Sequence, residues 1–173
     1  MAEALDPAIP SHIDELTKFV LQEACDRGLT LATAESCTGG LLASLLTDIP
    51  GQSHAFERGF VVYTHEAKHE MLGVPTAVLE TDGAVSEASA RAMADGALAR
   101  SKADLAVSIT GFTEGAPGRP AGLVHLACAR TGRPTAHVEK RFGDIGRAEV
   151  RIKALEAALK MLRDQLAGAA NAA

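Results

Sequence analysis

The chain is poor in the residues with which proteins bind nucleic acids. Its 173 residues include no tryptophan, one tyrosine and five phenylalanines, so aromatic residues make up only 3%. Bases stack on aromatic rings, and phosphates attract clustered lysine and arginine. The formal net charge is -5 and we find no basic stripe. We therefore expect no nucleic acid among the partners of this protein.

Cysteine and long apolar runs are also scarce. Cys25, Cys37 and Cys128 lie far apart and form no C-x-x-C pair, so the sequence contains neither a zinc knuckle nor a redox dithiol. Such a sparse, odd count fits a reducing compartment. No stretch approaches the roughly 18 consecutive apolar residues of a membrane span, and the first residues do not resemble a secretory signal. We expect a cytoplasmic protein that does not bind membranes.

Hydrophobic residues make up 47% of the chain and are spread evenly, which suffices for a sizeable core. Helical and strand patterns alternate early, and a hairpin comes late. This order predicts a single domain over residues 1–173, with an α/β fold of three α/β/α layers around a mixed, mostly parallel sheet of about five strands. The predicted helices cover residues 11–28, 37–48, 65–72, 87–101 and 144–167, and the strands cover 30–35, 57–64, 103–110, 122–129 and 135–142. Ser11, Ser36, Ser86 and Asp144 are the predicted helix caps.

Residues 30–40, TLATAESCTGG, pass from small apolar residues into a polar turn with two glycines at its end. We interpret this stretch as a buried strand, a tight turn and the first turn of a helix. The N–H groups of residues 37–39 would then point outward. Because a helix start has unpaired donors and a positive dipole, these groups would favour an anion or a developing oxyanion.

Three segments are predicted to meet at one edge of the sheet, namely residues 35–40, 63–68 and 110–120. Each follows or ends a predicted strand, and ligands of open α/β sheets lie beyond the carboxyl ends of the strands. We therefore look for reactive groups in these segments.

Ser36 is either a helix cap, a common role of serine, or a nucleophile. Its flanks are not G-x-S-x-G, and no S-x-x-K spacing is present, so a base must come from elsewhere in the chain. Lys68 is the best candidate because a desolvated lysine loses its proton readily, although most lysines are solvated. Tyr63, the only tyrosine, ends the second strand and could relay a proton or keep its hydroxyl in water.

The string His65-Glu66-Ala67-Lys68-His69 matches H-E-x-x-H, in which two imidazoles bind zinc and the glutamate acts as base. Leu72 stands where the longer metzincin motif requires glycine. Glu87 is a possible third ligand. Since so short a pattern is a weak filter, we expect no metal and keep a zinc hydrolase as an alternative.

Other polar residues also have two interpretations. Cys37 lies at the predicted helix start, where a thiolate would be stabilised, but a small buried residue is the simpler interpretation. Arg147 and Arg151 are four residues apart and share a helix face that could grip a phosphate or carboxylate, or face solvent. Arg119 is a weaker candidate of the same kind.

Several strings occur in the order typical of one family. They are Thr33-Ala-Glu-Ser-Cys-Thr-Gly-Gly40, Phe56-Glu-Arg-Gly-Phe-Val-Val-Tyr-Thr64, Glu66-Ala-Lys68, Met71-Leu-Gly-Val74, Gly83-Ala-Val-Ser86 and Val107-Ser-Ile-Thr-Gly111. On these strings the chain resembles the CinA C-terminal domain family over about residues 12 to 165. It resembles the form that occurs alone rather than behind a larger N-terminal domain.

The resemblance implies an amidohydrolase that needs no metal or other cofactor and converts nicotinamide mononucleotide to nicotinic acid mononucleotide and ammonia. It implies Ser36 as nucleophile, Lys68 as base and Tyr63 as an assisting hydroxyl. We further expect Glu35 to orient Lys68, and we expect a small-molecule nucleotide substrate and a homo-oligomer. The predicted substrate-binding residues are Glu35, Cys37, Thr38, Gly39, Gly40, Thr110, Gly111 and Arg151.

One loop departs from the family pattern. After Gly111 the family usually carries Gly-x-Ala-Gly-Pro-x-Gly-Gly, whereas this chain reads GFTEGAPG over residues 111–118. Glu114 would bring a carboxylate near a phosphorylated substrate and weaken or change substrate choice. A second hypothesis is therefore a catalytically silent nucleotide-binding module.

Overall fold

The computed structural model describes residues 9–168. Five strands form one sheet in the order β2-β1-β3-β4-β5. The strands are β1 (Leu31–Glu35), β2 (Phe56–Val61), β3 (Leu105–Gly111), β4 (Leu123–Arg130) and β5 (Arg133–Arg141). β1 pairs in parallel with both β2 and β3, whereas β3–β4 and β4–β5 are antiparallel. The sheet is mixed, as predicted, and its parallel part is the β2-β1-β3 half.

Helices cover both faces of the sheet. They are α1 (Ser11–Asp26), α2 (Leu41–Thr47), α3 (His65–Leu72), α4 (Thr76–Thr81), α5 (Glu87–Ala99) and α6 (Arg147–Ala167), with a short 3₁₀ turn at Ser53–Ala55. One apolar cluster joins α1, α2 and α6 to the sheet, and a second joins α3, α4 and α5 to its other face. This arrangement confirms the three-layer α/β/α fold. No helix within residues 9–168 combines the length and apolarity needed to cross a bilayer.

Strand β1, which lies between β2 and β3, is buried along its whole length, as its small apolar residues predict. Its neighbours β2 and β3 run in the same direction, so all three strands end at one edge of the sheet. β3 and β4 continue past this edge as a hairpin, in which Phe112 N–H donates to Leu123 O and Gly122 N–H donates to Phe112 O. Backbone hydrogen bonds therefore hold the 111–120 segment in place.

Two helices begin later than predicted. α2 starts at Leu41 rather than at residue 37, because Gly39 and Gly40 have φ values of 62° and 97°, which a right-handed helix does not accommodate. α6 starts at Arg147, after Gly146 with φ 89°, so Asp144 is not its cap. α1 already begins at Ser11, and no side chain caps it.

Other predicted features of secondary structure are confirmed, and one helix was not predicted. Ser86 caps α5 by accepting a hydrogen bond from Ser89 N–H at 3.1 Å, as predicted. The predicted hairpin at residues 131–134 joins β4 to β5. Residues 76–83, which had no predicted structure, contain α4. The chain ends of the predicted single domain, residues 1–8 and 169–173, lie outside the described residues.

Candidate active site

A cleft of about 380 Å³ lies beyond the carboxyl ends of the parallel strands. The three segments predicted to converge there do so: Ser36 follows β1, Tyr63 and Lys68 follow β2, and residues 110–116 form the end of β3 and the loop after it. Ala84 and Val85, just before α5, complete one wall. The sequence analysis assigned no role at the site to Ala84 or Val85, although both belong to the string at residues 83–86 that contributed to the family resemblance.

Ser36 is held at the end of β1 by the sheet itself. Its backbone N–H donates to Ile109 O on β3 at 3.0 Å, which extends the parallel ladder by one residue. The next residues turn away sharply, since Gly39 N–H donates back to Ser36 O at 3.1 Å. The residue is only 8% exposed, and it lines the cleft. A strand end followed by a tight turn thus fixes the hydroxyl at the cleft floor.

Lys68 is 1% exposed, which is unusual for lysine. It lies one turn into α3, whose start is fixed by the Thr64 hydroxyl accepting from Ala67 N–H at 3.1 Å. Its Nζ donates to Ser36 Oγ at 2.8 Å and to Val62 O at 3.1 Å. The two residues that the sequence separates by 32 positions are therefore in direct contact.

The surroundings of Lys68 favour its neutral form. Desolvation by burial lowers the pKa of its ammonium group from 10.5 to about 8, and the nearby Cys37 opposes this shift. A lysine with such a pKa is roughly one-tenth neutral at pH 7, against less than about one-thousandth for a solvated lysine. Lys68 can thus accept a proton from Ser36 near neutral pH.

Glu35 does not contact Lys68, contrary to our expectation. Its buried carboxylate accepts from the Thr38 hydroxyl at 2.6 Å and from the N–H groups of Gly40, Leu42 and Ala43 at 3.2, 3.1 and 2.8 Å. These are the donors that the start of α2 would otherwise leave unpaired. The first N–H groups of α2 are therefore occupied by a carboxylate of this chain, whereas the anion site predicted from the sequence consisted of the N–H groups of residues 37–39, which precede the helix.

Two donors in the turn remain. Within residues 9–168, the N–H groups of Cys37 and Thr38 donate to no other residue, and Cys37 borders the cleft. The Cys37 thiol is unsuited to nucleophilic attack, because burial raises its pKa from 9.0 to about 11, despite the opposing effects of its own backbone N–H, Arg151 and Lys68. The thiolate that the sequence suggested as an alternative is therefore disfavoured.

Gly39, Gly40 and Thr38 shape the turn rather than line the cleft. The two glycines supply the left-handed backbone, and the Thr38 hydroxyl donates to Glu35. From the neighbouring strand, both Thr110 and Gly111 line the cleft. The Thr110 hydroxyl donates to Ala84 O at 2.7 Å and so ties β3 to the segment before α5.

Arg151 lies behind the cleft. Its Nε donates to Cys37 O at 2.9 Å, so it supports the turn after Ser36, and it is not a lining residue. The arginine that reaches the rim is Arg147, one turn earlier on α6. Its guanidinium pairs with Glu114, with Nε–Oε1 and Nη2–Oε2 distances of 3.2 and 3.0 Å. The sequence had assigned Arg151 to the substrate and had left the role of Arg147 open, whereas in the structure Arg147 is the one that lines the cleft.

The loop after β3 supplies the rest of the rim. Ala116 and Arg119 exchange backbone hydrogen bonds of 2.8 and 2.9 Å in a tight turn. The Arg119 guanidinium lies 5.9 Å from the centre of the Phe112 ring. Tyr63 stands at the opposite side of the cleft and is 73% exposed. Within the described chain, its hydroxyl makes no hydrogen bond to Ser36 or Lys68.

The H-E-x-x-H string does not assemble a ligand set. His65 borders the cleft, whereas the Nδ1 atom of His69 lies 2.9 Å from Val74 O. Glu87, the suggested third ligand, pairs with Arg91 instead. Between residues 9 and 168 no three His, Cys, Asp or Glu side chains are grouped so that they could hold a metal ion.

Fold and site together define an α/β protein that holds a buried serine–lysine pair beyond the carboxyl ends of its parallel strands. Residues 13–166 match the model of the CinA C-terminal domain, and the chain belongs to this family.

Relatives and solved structures agree with this assignment. A putative competence-damage inducible protein of Symbiobacterium thermophilum is 51% identical over 71% of this chain, and one of Caldanaerobacter subterraneus is 40% identical over 90%. The chain spans only 30% and 38% of these two proteins. The crystal structure of the competence/damage inducible protein CihA from Agrobacterium tumefaciens has a TM-score of 0.87 and 47% identity, over 90% of this chain and 96% of that one. A CinA superfamily protein of Escherichia coli has a TM-score of 0.83 and 36% identity, over 88% and 90%.

Proposed function

We propose that this protein hydrolyses the carboxamide of nicotinamide mononucleotide, giving nicotinic acid mononucleotide and ammonia. The observation that carries the proposal is the 2.8 Å contact between Lys68 Nζ and Ser36 Oγ in a cleft where the pKa of Lys68 falls to about 8. A nucleophile needs a base within hydrogen-bond reach whose pKa lies near the working pH. The choice of substrate rests on the family resemblance.

The first half of the reaction forms an ester on the enzyme. Neutral Lys68 accepts the Ser36 hydroxyl proton while Oγ bonds to the carboxamide carbon, and the carbonyl oxygen takes up the negative charge. The Cys37 N–H, adjacent to Ser36 and without a partner residue among those described, is the donor we assign to this oxyanion. Lys68 then protonates the amide nitrogen, the C–N bond breaks, and ammonia leaves.

The second half restores the enzyme. Lys68, neutral again after giving its proton to the departing amide nitrogen, accepts a proton from water while the water oxygen bonds to the ester carbon. Collapse of this intermediate breaks the bond to Ser36 Oγ, which takes the proton back from Lys68, and the carboxylic acid is released. No metal takes part in these steps. Tyr63 is proposed to act from the rim, by hydrogen bonding to the bound substrate.

Positive charge at the rim supports an anionic substrate. Arg119 and Arg147 line the cleft together with Lys68, and Glu114 is the one acidic side chain among the lining residues. A phosphomonoester carries two negative charges near neutral pH and pairs well with guanidinium groups. We assign the phosphate end of the nucleotide to the Arg147 side of the cleft and the carboxamide to Ser36.

The test is ammonia release from nicotinamide mononucleotide by purified protein, compared with Ser36→Ala and Lys68→Met. We expect turnover by the wild type only. Equal ammonia release by the wild type and Ser36→Ala would refute the assignment. The alternative, a nucleotide-binding module without activity, is favoured by the Glu114–Arg147 pair, which neutralises one rim cation. Binding without turnover in the wild type would support that alternative.

A further inference from the structure

Among the residues that the structure describes, a single acidic side chain lines the cleft, and it contacts one of the three cationic side chains there. Glu114 pairs with Arg147 through two N–O contacts of 3.2 and 3.0 Å, while Lys68 and Arg119 make no ion pair among the described residues. Both members of the pair are well exposed, so the pair is weak and exchangeable. An arriving anion thus meets a guanidinium that already has a carboxylate partner.

The backbone holds Glu114 in this position. Phe112 on one side pairs with Leu123, and Ala116 on the other side pairs with Arg119. Only residues 113–115 bridge these two anchored points, so the carboxylate stays near the rim even when its contact with Arg147 breaks. The side chain can swing away from Arg147, but the position of its backbone keeps the negative charge at the rim of the cleft.

We propose that Glu114 is a specificity-determining residue that competes with the anionic group of the ligand for Arg147. A phosphate must displace this carboxylate and then lie beside it, which costs binding free energy through lost pairing and like-charge repulsion. A ligand with the same carboxamide and no phosphate bears no such cost. The cleft therefore binds phosphorylated ligands less tightly than its three cations alone would allow. The proposal takes its carboxamide ligand from the proposed function.

The consequence is measurable as a charge-dependent change in affinity. Replacing Glu114 by glutamine keeps the size and removes the charge, so affinity for a phosphorylated ligand should rise roughly two- to tenfold, the range expected of an exposed pair plus the relieved repulsion. Affinity for a ligand that has the same pyridinium ring and carboxamide but no phosphate should not rise. A residue that merely shapes the loop would alter both affinities alike.

The experiment is calorimetric titration in the Ser36→Ala background, which prevents turnover. Nicotinamide mononucleotide, nicotinamide riboside and inorganic phosphate are titrated into proteins that carry Glu114, Glu114→Gln or Glu114→Asp. Glu149→Gln is the matched control, because Glu149 is exposed in the first turn of α6, lies outside the cleft and carries the same charge.

We expect Glu114→Gln alone to tighten the mononucleotide and phosphate, with the riboside unchanged and Glu114→Asp close to the parent. Equal shifts for mononucleotide and riboside, no shift, or no binding of any probe would overturn the proposal. Tighter phosphate binding without any mononucleotide binding would support the role of Glu114 and refute the proposed substrate. Tighter mononucleotide binding together with an inactive wild type would support the role of Glu114 and refute the amidase.

Discussion

The carboxylate of Glu35 accepts a hydrogen bond of 2.8 Å from the backbone N–H of Ala43, eight residues further along the chain. The same buried carboxylate also accepts from three other donors of the turn after Ser36. One acidic side chain at the end of β1 thus fixes both the turn and the start of α2. The backbone that positions the Ser36 hydroxyl depends on both.

We predict that Glu35→Ala unfolds more readily than any surface carboxylate variant. It leaves buried N–H groups unpaired, which costs about 1–3 kcal/mol each, so the free energy of unfolding should fall by roughly 3 kcal/mol or more. Glu35→Gln keeps one acceptor oxygen and should lose less. Urea denaturation measures the change, with Glu149→Gln as control. An Ala variant within about 0.5 kcal/mol of the wild type would contradict this role.

We predict that the amidase rate rises with pH through about 8 and then levels off. Lys68 must be neutral to accept the Ser36 proton, and burial lowers its pKa to about 8. Below this pH the rate should fall about tenfold per pH unit. The measurement is kcat/KM for ammonia release from pH 6 to 9.5. Tyr63→Phe should keep the same inflection, since the Tyr63 hydroxyl makes no hydrogen bond to Ser36 or Lys68 within the described residues. An inflection that moves with Tyr63 would assign the base elsewhere.

Cys37 should be dispensable for catalysis and slow to react. Burial raises the pKa of its thiol to about 11, so little thiolate exists at pH 7.5. We expect Cys37→Ala to keep kcat within about threefold, and iodoacetamide to label Cys37 more slowly than the partly exposed Cys25. Labelling is followed by peptide mass spectrometry. Loss of activity in Cys37→Ala comparable to that in Ser36→Ala would mean that the nucleophile is misassigned.

Replacing Arg151 should lower kcat, because this residue supports the turn after Ser36, and should change substrate affinity little. Its Nε supports Cys37 O at 2.9 Å from behind the cleft. We predict that Arg151→Met lowers kcat by roughly tenfold or more while KM changes little, and that it lowers the melting temperature. Arg147→Met, at the rim, should mainly raise KM for the mononucleotide. If steady-state kinetics show a raised KM for Arg151→Met and a lowered kcat for Arg147→Met, the two arginines have the opposite roles.

A histidine pair on the α5 face should make stability depend on pH. His125 Nδ1 and His137 Nε2 lie 3.0 Å apart, and burial lowers both pKa values, while Glu87 and Glu139, 3.6 and 3.8 Å away, partly oppose the shift. Both histidines are therefore neutral in the folded state and take up protons more readily when unfolded. Their contribution is complete above about pH 6.5 and is lost as the pH falls towards the lowered values.

The measurement is the melting temperature between pH 7.5 and 5. We expect a steeper fall for the wild type than for the His125→Gln/His137→Gln double variant, in which no imidazole remains at this position. Arg91 and Arg141, whose charges also lower the pKa values of the two histidines, are present in both proteins. The exposed His54→Gln is the control and should follow the wild type. Parallel curves for the wild type and the double variant would contradict the prediction.

The sequence by itself determined the layers, the sheet edge at which the parallel strands end and the meeting of Ser36 with Lys68, although β2 ends at Val61 and not at the predicted residue 64. The period of the apolar residues fixes which face of each element is buried, and parallel strands align their carboxyl ends. The strings around these residues were also sufficient to identify the family. These predictions do not depend on how individual polar atoms are paired.

Only the tertiary structure decided how the polar groups are paired. The sequence predicted that Glu35 orients Lys68 and that Arg151 binds the substrate. In the structure, the Glu35 carboxylate accepts hydrogen bonds from the start of α2, and Arg151 donates to the Cys37 carbonyl. Because Gly39 and Gly40 have left-handed backbone conformations, α2 begins four residues later than predicted. The free N–H groups at its start then donate to the Glu35 carboxylate. Hydrogen bonds are decided by distances of tenths of an ångström and by competition among nearby donors, whereas sequence periodicity determines only the face on which a residue lies.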